Sequence, residues 1–227
     1  MDLHKTDNEF ITRFEHFAFD EVVNEKNQQL DKDTRYMVIL ATLIGCSGVD
    51  AFEEMLDKAM KDGFDAIKVK EIIYQATDYL GYGRMLPFLK CTNKYFEQNG
   101  IEIDDNRATT TLENRLEKGV EAQVEIFGNG MKEAYKKGHI NRFLAANCFG
   151  DYYTRKGLDL RQRELITFCF LSAQGGCEPQ LTAHAKGNMN MGNDKEFLIK
   201  VVAQCVPYIG YPRSLNAIGC INKASEM

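Results

Sequence analysis

Proline is scarce in this chain of 227 residues: there are four, at 87, 179, 207 and 212. Long proline-free stretches favour helices over a turn-rich β architecture. The seven cysteines, at 46, 91, 148, 169, 177, 205 and 220, include no C-x-x-C pair, and their spacing is irregular. That argues against a disulfide framework and against a zinc site, and it fits reduced thiols in a cytoplasmic protein. No metal site is expected. No apolar run reaches the roughly 18 residues a membrane span needs, and the polar opening MDLHKTDNEF has no apolar stretch suited to a signal peptide. A basic excess is also missing. Lys and Arg number 28 against 33 Asp and Glu, a net charge of −5, so nucleic acid is not an expected partner.

Hydrophobic residues are plentiful, at 44%. They suffice for one large core or for two small ones of about 100 residues each. An internal repeat favours two units. DYLGYGRML at 78–86 returns as PYIGYPRSL at 207–215: Tyr79, Gly81, Tyr82, Arg84 and Leu86 recur as Tyr208, Gly210, Tyr211, Arg213 and Leu215, each 129 positions later. Gly63, Asp65 and Gln75 recur as Gly192, Asp194 and Gln204 at the same shift, and Arg35 recurs as Arg163 at a shift of 128. The expected organisation is two homologous halves, 1–100 and 101–227.

Both halves carry helical periodicity. TRYMVILATLIG (34–45) is too long and too apolar for most strands and reads as a buried helix. In AFEEMLDKAMKDG (51–63), Phe52, Met55, Leu56, Ala59 and Met60 fall on one helical face, and Gly63 is the stop signal. Two more helices are expected over 65–81 and 83–100. RQRELITFCFLSAQ, EPQLTAHAKGNMNMG, DKEFLIKVVAQCVPYIG and PRSLNAIGCINKAS repeat the pattern, with two further helical stretches in front of them, ENRLEKGVEAQVEIFG and GHINRFLAANCFGDYYTRKG. No strand pattern emerges, and the expected fold class is all-α.

The densest chemistry lies in QGGCEPQLTAHAKGN, residues 174–188. Gly175-Gly176 suits a tight connection, and Pro179 suits the first turn of a helix. Cys177 then falls at the helix N-terminus, where unpaired N–H groups and the helix dipole favour a thiolate. His184 shares its face but lies two turns away, about 10.5 Å, too far for a direct thiolate–imidazole hydrogen bond. Gln180 sits between them on that face. Glu164, at the start of the apolar helix ELITFCFLS, is the candidate acid that orients His184. In the first half the counterparts of Glu164, Cys177 and His184 are Tyr36, Gly48 and Met55, so that half keeps the frame without the three groups. Tyr82, Arg84, Tyr211 and Arg213 come just after helix-ending glycines and read either as substrate groups or as turn-packing tyrosines and arginines that cap carbonyls or pair with an acid.

R-x-R-E-L-I, then GCEPQLTAHAKGNMNMG, then Q-x₃-Y-x-G-Y-P-R together resemble the carboxymuconolactone decarboxylase and alkylhydroperoxidase-D-like superfamily. ENRLEKGVEAQVEIFGNG and FGDYYTRKGLDLRQREL resemble the leading part of its decarboxylase branch. The resemblance covers about 110–220 well and 30–95 in a degraded form. It implies a tandem of two such helical domains, with the second intact. It also implies a homo-oligomer, trimeric or hexameric, with sites near subunit interfaces.

The resemblance implies two activities. One is cofactor-free decarboxylation of a small carboxylated lactone or keto acid, with His184 moving the proton, Glu164 as its partner, and Arg163 or Arg213 anchoring a carboxylate. The other is thiol-dependent peroxidase or disulfide reductase chemistry, which in that branch uses Glu, C-x-x-C and His. Here the second cysteine is replaced by Gln180, which leaves only a one-cysteine cycle through a sulfenic acid at Cys177. Tyr208 joins Arg163, Gln180 and Arg213 as a candidate substrate-binding residue. A non-catalytic oligomeric scaffold or small-ligand binder is the third reading.

Overall fold

The computed structural model describes residues 2–104 and 106–227, which contain helices and no strand. After an N-terminal helical arm (3–24), eight helices build the core. They are α1 (Lys32–Gly45), α2 (Val49–Lys61), α3 (Ala66–Leu80), α4 (Tyr82–Gln98), α5 (Arg115–Phe127), α7 (Leu160–Gln174), α8 (Glu178–Asn190) and α9 (Lys195–Ser225). Between α5 and α7 lies α6 (Leu144–Tyr153), whose ten residues are π-helical.

The caps arise from composition. Asp31, Asp159 and Asp194 each accept a hydrogen bond from the backbone N–H three residues on, and Asp65 from that of Ile67. Asp159 and Gln162 complete a reciprocal capping box. Gly210 has φ 72° and breaks α9 into two arms, as Gly81 (φ 81°) separates α3 from α4.

The two most apolar helices, α1 and α7, pack on each other at the centre. Every residue of α1 from Tyr36 to Gly45 is buried, as is every residue of α7 from Arg163 to Ala173. Gly45 permits the closeness: a Cβ there would come within 2.8 Å of the Ala173 side chain and of the Phe170 carbonyl. One hydrophobic cluster runs through α1–α4 and α7–α9 without a boundary.

Across this core the same clamp is made twice. Arg163 on α7 donates to Gln75 Oε1 on α3 (2.8 Å) and to the Arg155 carbonyl (2.9 Å). Arg35 on α1 donates to Gln204 Oε1 on α9 (2.9 Å) and to the Ala18 carbonyl (2.9 Å). Each arginine thus grips a glutamine from the other half of the chain, in register with the internal repeat. Arg163 is the more buried of the two, at 0% exposure, and needs a counter-charge. Glu71 supplies it at 2.9 Å and also pairs with Arg155 at 2.9 Å.

Candidate active site

An apolar helix that buries a carboxylate must satisfy it, because an unpaired buried charge costs several kcal/mol. Glu164 on α7 is fully buried and is satisfied from two sides. Tyr153, at the end of α6, donates its hydroxyl to Oε1 at 2.9 Å. His184 on α8 places Nδ1 2.9 Å from Oε2. The expected partnership of Glu164 with His184 is therefore formed, between residues 20 positions apart on neighbouring helices.

The local sequence explains how close α7 and α8 come. Gly187 lies one turn beyond His184, and a Cβ there would sit 2.5 Å from Glu164 Oε2. Asn188 fixes the register by donating to both the Glu164 carbonyl and the His184 carbonyl at 2.8 Å. Its side-chain amide oxygen accepts from the Asn193 side chain at 2.8 Å. The imidazole ring, its side chain 12% exposed, makes T-shaped contacts with the rings of Tyr79 and Phe127, both with centroids 5.4 Å away. With Nδ1–H held by the carboxylate, the tautomer is set and Nε2 is the nitrogen free to exchange a proton with a substrate.

Behind Glu164 the polar groups continue. Tyr153 Oη is 2.8 Å from Thr167 Oγ1 and 2.7 Å from Tyr79 Oη, and the Cys148 thiol lies 3.6 Å from Tyr79 Oη. Gln75 donates to Thr167 Oγ1 at 2.8 Å. Burial holds the Tyr79 and Tyr153 hydroxyls and the Cys148 thiol well above their ordinary pKa values, so all three keep their protons.

Other sequence-derived candidates lie elsewhere. Cys177 does stand at the N-cap of α8, but the expected thiolate is not favoured there. Burial pushes its pKa up and outweighs the lowering by Gln174, with a smaller upward contribution from Glu178. The thiol faces the Leu171 carbonyl (3.5 Å) in a narrow crevice shared with Ser172, Asn216 and Arg213, away from the Glu164–His184 pair. Gln180 is exposed. Arg163 is fully buried, and its bonds to Glu71, Gln75 and the Arg155 carbonyl give it a clamping role in place of the expected carboxylate anchor. Arg213 is exposed and packs beside Gly175. Tyr208 lines a separate cavity of about 380 Å³ under the N-terminal arm, where burial pushes its pKa up to about 12.

Sequence reasoning alone misses Tyr153, Thr167, Phe127 and Gly187, and it finds Tyr79 only as a repeated residue. The available signal is the run of polar side chains, Arg163, Glu164 and Thr167, inside an otherwise apolar helix, since each requires a buried partner. Among the described residues, no cluster of three or more His, Cys, Asp or Glu side chains is placed to hold a metal ion, and no helix is long and apolar enough to cross a membrane.

Residues 139–223, which contain Tyr153, Glu164, Cys177 and His184, match the Carboxymuconolactone decarboxylase family. The chain is also 28% identical over 116 residues to 4-carboxymuconolactone decarboxylase of Acinetobacter baylyi, an alignment covering 45% of this chain and 80% of that relative.

Proposed function

We infer that this chain, a member of the carboxymuconolactone decarboxylase and alkylhydroperoxidase-D-like superfamily, is a lyase that decarboxylates a small carboxylated lactone by proton transfer at His184. The observation that carries this reading is the 2.9 Å contact of His184 Nδ1 with the buried Glu164, which leaves Nε2 as the working nitrogen. Nε2 first takes up a proton from solvent; the C–COO⁻ bond then breaks, CO₂ departs, and the electron pair left on the lactone takes that Nε2 proton, leaving His184 neutral with Nδ1–H still on Glu164. T-shaped contacts with Tyr79 and Phe127 keep the imidazole oriented and water-poor. The substrate class comes from the A. baylyi relative, whose name states its reaction.

The test is incubation with 4-carboxymuconolactone, monitoring CO₂ release and loss of the substrate carboxylate. Wild type turns over and His184→Ala loses on the order of 10²-fold or more in kcat. Turnover by His184→Ala at the wild-type rate refutes the assignment.

The one-cysteine peroxidase reading has less support, because the environment of Cys177 disfavours its thiolate. We also propose a homo-oligomer. Ile140, Phe143 and Leu144, spaced for one helical face, are 77%, 51% and 40% exposed, and they lie immediately before and at the start of α6. Light scattering at micromolar concentration should find more than one chain per particle, and Phe143→Glu should dissociate it.

A further inference from the structure

Proton transfer at His184 uses Glu164 and leaves several buried protic groups without a task. They form a line. Tyr153 Oη donates to Glu164 Oε1 at 2.9 Å, and that bond fixes the direction of all the others. A hydroxyl has one proton, so Tyr153 must accept from Tyr79 at 2.7 Å and from Thr167 at 2.8 Å. Thr167 can do this because its own oxygen accepts from Gln75. Tyr79 then accepts from the Cys148 thiol at 3.6 Å. Every donor from Cys148 inward thus points toward Glu164.

The outer end of the line is also protic. The Asp78 side chain lies beside the Cys148 thiol, close enough for each to shift the other's ionisation. Its Oδ2 is buried with no hydrogen-bond partner, while the residue as a whole is partly exposed to solvent. Burial raises its pKa to about 8, against a lowering by the Cys148 thiol and with a smaller upward push from Asp151, so the carboxyl carries a proton at neutral pH. Asp151 is occupied by Arg115 at 2.6 Å and by Asn147 at 3.1 Å. Tyr152 lies near as well: burial first and Asp78 second hold its hydroxyl above the ordinary tyrosine range.

We propose that Asp78, Cys148, Tyr79 and Tyr153 form a proton relay that connects solvent to Glu164 and, through it, to His184 Nδ1. In each passage one O–H or S–H bond breaks and one forms at every station. Asp78 gives a proton to the Cys148 sulfur as the thiol passes its own to Tyr79. Tyr79 protonates Tyr153, and Tyr153 protonates Glu164. Asp78 is then recharged from water, so the net change is one proton moved inward. After Nε2 has given up its proton, Nδ1 still carries its own, so the proton delivered by the route comes to rest on the Glu164 carboxyl and the Glu164–His184 pair regains its charge balance while a substrate covers Nε2. Two of the four stations, Asp78 and Tyr79, belong to α3, in the half of the chain that lacks counterparts of Glu164, Cys177 and His184. These residues act through Glu164 and are relay and positioning residues.

The relay's role in turnover rests on the lyase reading, but its existence can be tested without substrate. The exchange of the His184 Nδ1–H with solvent is measured by NMR in wild type, Tyr79→Phe and Asp78→Asn. Tyr79→Phe leaves the Tyr153–Glu164 bond intact and breaks the line, so exchange slows by at least about tenfold while the chemical shift of the proton is retained. Asp78→Asn removes the outer proton carrier without touching either tyrosine and slows exchange to a similar extent. This second variant decides the matter if Tyr79→Phe is poorly folded. Exchange at the wild-type rate in a folded variant overturns the relay. If wild type does not turn over 4-carboxymuconolactone, the lyase reading falls, while the exchange rates still judge the relay. If it does turn over, Tyr79→Phe lowers kcat with KM unchanged and enlarges the solvent deuterium isotope effect.

Discussion

Gly187→Ala should damage the protein at the point where α7 and α8 meet. The new methyl would lie 2.5 Å from Glu164 Oε2, 2.8 Å from Phe127 Cε1 and 3.0 Å from Ile126 Cγ2. Overpacking of this kind costs about 1–3 kcal/mol. Displacing the carboxylate weakens its hydrogen bond to His184, a loss of roughly 1.5–3 kcal/mol for a bond to a charged group. The higher helix propensity of alanine returns about 1 kcal/mol. The net destabilisation is about 1.5–5 kcal/mol, and at roughly 2–4 °C per kcal/mol for a chain of this size it lowers Tm by roughly 3–20 °C. Gly219→Ala is the control. It lies inside α9 with nothing within 4 Å of the new methyl, so it should gain about 0.5–1 kcal/mol. Thermal unfolding of both variants, with the His184 ring monitored by NMR, makes the comparison. If Gly187→Ala raises Tm as Gly219→Ala does and leaves the imidazole resonances in place, the tight seating of Glu164 against α8 is refuted.

Glu71→Ala strands Arg163 as a buried unpaired cation and should cost about 3–5 kcal/mol in urea unfolding; Glu71→Gln, which keeps an acceptor, should cost less. Asp78 has a folded-state pKa of about 8, above its unfolded value near 3.8, so the folded state holds the extra proton between those limits. Its stabilising contribution is complete below about pH 4 and is lost as pH rises toward 8. Urea midpoints from pH 4 to 9 should fall across this window in wild type and fall less in Asp78→Asn; equal slopes would contradict the assignment. Cys177 should alkylate with iodoacetamide at pH 7 no faster than free cysteine, because burial raises its pKa. Faster labelling, mapped to Cys177 by mass spectrometry, would revive the thiol chemistry.

Helix positions are legible in the sequence because their punctuation is local. Aspartates at 31, 65, 159 and 194 cap the helices that begin just after them, and Gly81 and Gly210 interrupt the chain where the repeat places them. The Glu164–His184 pair is legible too, because a carboxylate in an apolar helix needs a buried partner and few histidines are available. The rest of the centre is not. Tyr79 lies 74 residues from Tyr153, and α6 adopts a π-helical path that no 3.6-residue period announces. Cys177 shows the opposite failure. Its N-cap position is readable, but the dipole alone does not fix a thiol's ionisation, and the surrounding burial outweighs it. Arg163 reads as a free cation because Glu71 lies 92 residues upstream.

The paired arginine–glutamine clamps carry a consequence for a severed polypeptide. Arg35 grips Gln204 and Arg163 grips Gln75, so a cut after residue 100 divides both clamps and every shared layer of the core between two fragments. Neither piece alone can seal its apolar surface, yet each carries the mates the other lacks. The two should reconstitute when mixed, making the molecule a natural substrate for split-protein complementation.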